Sequence, residues 1–138
     1  MKSILFFFLL TGYTAVAQNE HRITRIEFSS LTRGHQESIV FSVDSVKIMV
    51  NSKTGAKPLK KKDWGQLLNS LKSVVLPDID GLKSPTMKRA HDGARHSAIT
   101  IVTQSKTYSH GFDDENPHDK LKPLMKVIHA LKSKTALK

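Results

Sequence analysis

The chain has 138 residues, with 22 lysines and arginines against 12 aspartates and glutamates, a formal charge of +10 at pH 7, and no cysteine. The missing thiols exclude disulfides, cysteine nucleophiles, thiol redox chemistry and thiolate zinc sites. The basic balance raises an anionic polymer, nucleic acid or lipopolysaccharide, as one class of partner.

The first residues, MKSILFFFLLTGYTAVAQ, have a positive start at Lys2, an apolar run from Ile4 to Leu10 and small residues at Ala15 and Ala17. That is the pattern of a secretory signal peptide over residues 1–17, cleaved before Gln18. The run is too short to cross a bilayer of roughly 30 Å as a helix, and no later stretch is longer and as apolar. Lipid attachment at the cleavage point would need a cysteine. The expectation is a periplasmic or secreted protein, with residues 18–138 forming a single domain that ends in a basic tail from about residue 132. Removing Lys2 leaves a charge of about +9, and about 121 residues are enough to bury roughly two-thirds of the unfolded surface without disulfides.

Arg22 to Ser30 (RITRIEFSS) alternates, with Ile26 and Phe28 on one face and Arg25 and Glu27 on the other, which is strand periodicity. ESIVFSV places Ile39, Phe41 and Val43 on one face, and SVKIMVN repeats the pattern with Val46, Ile48 and Val50 after a break at Asp44 and Ser45. The two runs predict a hairpin, so the chain starts as an antiparallel meander. NSKTGAKP, from Asn51 to Pro58, is expected to be a turn-rich connection.

Trp64, Leu67, Leu68, Leu71, Val74 and Val75 recur at helical spacing and predict an amphipathic helix from about Lys61 to Val75. Asp63 suits its first turn, Gly65 weakens it by up to about 1 kcal/mol relative to alanine, and Pro77 helps to end it. Trp64 reads as a core anchor. A long irregular segment follows from Leu76 to Arg95, and loops of that length are either functional or pinned by side chains. Asp78, Asp80 and Gly81 resemble the opening of a calcium loop, but the closing glutamate is missing and a turn is the better reading.

A second hairpin is expected from Ala98–Thr103 and Lys106–Phe112, with its turn near Gln104 and Ser105. Asn116 is placed as an N-cap with Pro117 at the first helical position, and Leu121, Leu124, Met125, Ile128 and Leu131 form the buried stripe. Pro123 either kinks this helix or marks a later start. The fold class is α+β: an antiparallel sheet of about five strands, in the order β-β-β-α-β-β-α, with both helices on one face.

The segments SPTMKRAHDGARHSAITIV and KTYSHGFDDENPHDKLKPLMKVI resemble a group of small exported proteins of Bacteroidota-type bacteria that carries no assigned activity. The matching positions are Asp92, Gly93 and Ala94 in the loop, Tyr108 in the strand, Phe112, Asp113 and Pro117 in the turn, and Leu121 and Leu124 on the helix. The chain departs at Asp114, Glu115 and His118, and lacks a glycine in the hairpin turn. The resemblance implies a fold and an exported location and brings no mechanism.

Residues 91 to 118 hold four histidines and three aspartates. A metal site would use His91, His96, His110 and His118, and general acid/base work would pair a histidine with Asp92, Asp113 or Asp114. No pair stands at a separation that presets a metal site on a helix or strand, and neither Ser97 nor Ser109 sits in a nucleophile motif. Turn and cap roles explain the same residues: Asp92-Gly93 is a turn dipeptide, and Asp113 and Asp114 precede a helix. The expectation is a non-enzymatic binding module without cofactor, directed at a protein or envelope component. The first alternative is polyanion binding through Lys57, Lys60, Lys61 and Lys62, and the second a His/Asp metal-dependent hydrolase.

Overall fold

The computed structural model of the chain describes residues 22–135. The expected signal peptide, the leader behind it and the last three residues of the basic tail lie outside the described residues. Six strands form one antiparallel sheet: β1 (Ile23–Thr32), β2 (His35–Ser42), β3 (Ser45–Val50), β4 (Lys53–Pro58), β5 (His96–Thr103) and β6 (Thr107–Asp113). Their order is β4-β3-β2-β1-β5-β6. The helices are α1 (Lys61–Ser70) and α2 (Lys122–Thr135).

Period-two alternation makes register decisive, because a slip of one residue would turn every apolar side chain to the wrong face. Two apolar rows cross the sheet, Val46-Phe41-Ile26-Ile101-Tyr108 and Ile48-Ile39-Phe28-Ile99, the second ending on His110. All these residues are buried, and Trp64 and Leu67 of α1 and Leu124, Met125, Ile128 and Leu131 of α2 share the same core. Leu68 packs on its margin. The two helices touch each other on this side, whereas the opposite face, through Glu27, Val40, Lys47 and Thr100, is exposed or half-buried.

The strand count is the main correction. Asn51–Pro58 is a turn only at Asn51 and Ser52, after which Lys53–Pro58 returns as β4 at the edge of the sheet. Asn51 adopts φ 54° at the first central position of this two-residue turn, the left-handed backbone that such hairpin turns use and asparagine tolerates. Val43 also departs from expectation: it lies in the β2–β3 turn and is exposed rather than on the face of Ile39 and Phe41.

Helix α1 ends at Ser70, one turn earlier than its apolar spacing predicts. The Ser70 hydroxyl donates to Leu67 O at 2.6 Å, a local bond that competes with helix continuation. Leu71 and Val74 stay buried although the chain has left the helix, and a 3₁₀ turn at Leu76–Gly81 inserts Ile79 into the core. At the other helix Asn116 is not the cap. Its N–H donates to Asp113 O at 3.0 Å, and His118 caps a 3₁₀ turn at Asp119–Leu121 by accepting from Lys120 N–H at 3.2 Å. Regular α2 then starts at Lys122, so Pro123 falls in the first turn, where its missing N–H costs nothing.

Candidate interaction surface

The 76–95 segment runs along the outer edge of β6, and the aspartates bind it there. Asp80 Oδ1 accepts the outward Ser109 N–H at 2.7 Å. Further along, Asp113, 2% exposed, accepts from the Thr86 hydroxyl, from Lys88 N–H at 2.7 Å and from Arg89 Nη1 at 2.7 Å. Burial alone would raise the Asp113 pKa, but the Thr86 hydroxyl, the Arg89 guanidinium and the two backbone N–H groups outweigh it and hold it at about 2. Asp114, at φ 51°, closes the segment by exchanging bonds with the Arg95 backbone at 3.0 and 3.1 Å. Asp113 and Asp114 are therefore spent on the loop, not on the end of the following helix.

Of the four histidines the fold brings together two. His110 is 1% exposed; its Nδ1–H donates to Leu82 O at 3.1 Å and its Nε2 accepts His118 N–H at 3.0 Å. These two bonds require the neutral Nδ1–H tautomer. Burial lowers its pKa, the Leu82 carbonyl partly opposes this, and His118 and Arg89 add to the lowering. His91 and His96 are exposed elsewhere. His91 ends a 3₁₀ turn, and His96 starts β5 on the open face. Asp92 takes the left-handed conformation at φ 55°, and Gly93 N–H closes onto Lys88 O at 2.9 Å. A Cβ on Gly93 would lie 3.2 Å from that oxygen, so the dipeptide is needed for the turn itself. Among the described residues no group of three or more His, Asp and Glu could hold a metal ion.

A polar row that the sequence reading missed crosses the covered face at the next register position: Glu37, Ser30 and Ser97, between Val50 and Phe112. All three are buried. Ser97 Oγ donates to Ser30 Oγ at 3.1 Å, and Lys132 of α2 reaches Glu37 Oε1 at 2.6 Å. Lys132 also faces Glu115 at 3.7 Å, and Glu115 pairs with His129 at 3.1 Å. The signal was available, since Glu37, Ser30 and Ser97 each continue the inward alternation of their strands. This row ties α2 to the sheet.

Two surfaces among the described residues bear on a partner. One is the open face, which mixes hydroxyl, aliphatic and charged side chains and carries a shallow hollow over Ser38, Val40, Lys47, Met49, Thr54 and Ala56. The other is the β4 edge, which leads through Leu59 into α1. Lys57, Lys60, Lys61 and Lys62 are all exposed there. None of them lies within 4.0 Å of a carboxylate among the described residues. Lys60, Lys61 and Lys62 also occupy the start of α1, with Asp63 as the one acidic residue of its first turn, so their charges oppose the helix dipole.

No protein-family model matches the chain, and no curated protein matches it significantly.

Proposed function

We propose that the chain is an exported, non-enzymatic interaction module that presents the open face of its sheet to a protein or another component of the cell envelope. The observation that carries this reading is a contrast between the two sides of the molecule. The polar groups with chemical potential, His110, Asp113, Glu37 and Ser97, are engaged in bonds that hold the chain to itself. The open face instead offers a mixed surface with Val40, Met49 and Val102 among hydroxyl and charged side chains, the kind of composition that protein interfaces share with ordinary surface. The leader and the resemblance to small exported proteins of Bacteroidota-type bacteria support a periplasmic or secreted location. No cofactor is needed for this role.

A photoreactive residue at Val40, compared with one at the exposed Ala130 of α2, tests the reading in the exporting cell. A discrete adduct from Val40 and none from Ala130 is the expected result. Equal adduct yields at the two positions would overturn it.

A second reading is polyanion binding, favoured by Lys57, Lys60, Lys61 and Lys62, which are exposed and have no carboxylate partner among the described residues. Binding to heparin or DNA that falls steeply between low and physiological salt would support it, and no binding at low salt would end it.

A further inference from the structure

The sheet has two edges, and the fold treats them differently. The β6 edge is covered by another segment: Asp80 takes the outward Ser109 N–H, and residues 76–95 are fixed against the same strand through Asp113. At the β4 edge nothing comparable occurs among the described residues. The residues that flank a two-residue hairpin turn exchange hydrogen bonds, and inward and outward positions then alternate. Lys53, Gly55 and Lys57 therefore direct their backbone groups toward β3. Leu59 continues this inward series, its N–H donating to Asp44 O at 2.9 Å. Thr54 and Ala56 turn their N–H and C=O groups out of the sheet.

Such an edge is a template for another strand. Lys53 and Lys57 share the face of Val50 and Val46, their register partners, and both are exposed. They stand two positions apart on that face, with the bare Gly55 between them. Lys60, Lys61 and Lys62 follow within a few residues. From this we propose that β4 receives an extended, acidic segment of a partner protein by strand addition. The segment hydrogen-bonds to Thr54 and Ala56 and sets carboxylates at positions i and i+4 against Lys53 and Lys57. Charge decides between this occupant and a second copy of the chain. Two β4 strands pairing with each other would oppose lysine to lysine, which is unfavourable, whereas an acidic strand gains at each site. The inference rests on the interaction-module reading and names the chemistry of its partner.

The test uses the mature chain against a displayed library of random heptapeptides, followed by amide chemical-shift mapping with the best peptide. The expected selection is enriched in Asp or Glu at i and i+4, and the shifts centre on Thr54 and Ala56. Ala56→Pro removes one outward N–H without touching the β3 ladder, since proline is tolerated at such edge positions. It should weaken binding about tenfold or more with an unchanged unfolding midpoint. Lys53→Glu with Lys57→Glu should do the same and reverse the charge preference.

Peptides that bind Ala56→Pro as tightly as the parent would overturn strand addition and leave lysine-driven polyanion binding as the explanation. Selection without acidic enrichment, or no selection at all, would also overturn it. In either case a Val40-specific adduct in cells would keep the interaction-module reading while the edge proposal falls.

Discussion

At the scale of single residues, two buried ionisable groups make the loop sensitive to pH, with opposite electrostatic logic. His110 must be neutral to accept from His118 N–H, and its folded pKa lies below the ordinary 6.5. The unfolded chain therefore binds this proton more readily, so the contribution of His110 to stability is complete above about pH 6.5 and is lost as pH falls below it. Urea unfolding between pH 8 and 5 should show a decline that His110→Gln flattens. The same slope in parent and variant would remove His110 from the account. Asp113 works at lower pH, because its pKa falls from 3.8 to about 2 on folding. Its contribution is present above pH 3.8 and fades as the pH drops toward 2. Replacing it with asparagine at neutral pH removes the charge that Arg89 and the two N–H groups face, so the Lys88 and Arg89 amides should exchange about tenfold faster. Unchanged exchange would show that the segment is held by other contacts. The functional ambiguity of these residues in the sequence has a physical origin: the partners of Asp113 lie 24 to 27 residues away, beyond any local spacing rule.

At the scale of elements, what was legible followed from burial. Strands β1, β2, β3 and β5 bury one face, so their alternation is visible in the sequence, and α2 shows its stripe from Leu124 to Leu131 for the same reason. Strand β4 buries no side chain at all; with Gly55 at its centre and Pro58 at its end, it has the composition of a turn while backbone pairing to β3 makes it a strand. The end of α1 was hidden because Leu71 and Val74 remain in the core in non-helical chain, so apolar spacing continues where the helix does not. The attachment of α2 to the sheet through Glu37 and Lys132 yields a prediction at this scale. Lys132→Ala should cost about 2 kcal/mol, since it leaves a buried carboxylate with one partner fewer. Replacing both residues by leucine should recover most of that loss, as apolar packing often substitutes for a buried ion pair. A double-mutant cycle in urea decides it, and additive losses would show that the two residues do not act as a pair.

For the whole molecule, the excess of positive charge and the β4 edge, left open among the described residues, are connected. A free edge with small side chains invites pairing between copies, and charge is one of the devices by which proteins prevent this. The residues at the β4 edge are suited to that purpose: Lys53 and Lys57 flank Gly55, and no described carboxylate neutralises them. Repulsion between like surfaces is strongest at low ionic strength and is screened beyond about 10 Å at 0.1 M salt. The mature chain should therefore remain monomeric in dilute buffer, and added salt should favour association if the edge is competent to pair. Lys53→Thr with Lys57→Thr removes the repulsion and raises strand propensity on the same edge. This variant should form dimers at concentrations where the parent is a monomer, as read by light scattering after size exclusion, and Ala56→Pro added to it should return the monomer. Dimers that survive Ala56→Pro would have to form through another surface. A variant that stays monomeric at every salt concentration would mean that the lysines do not guard the edge, and would leave their exposed placement to the polyanion reading.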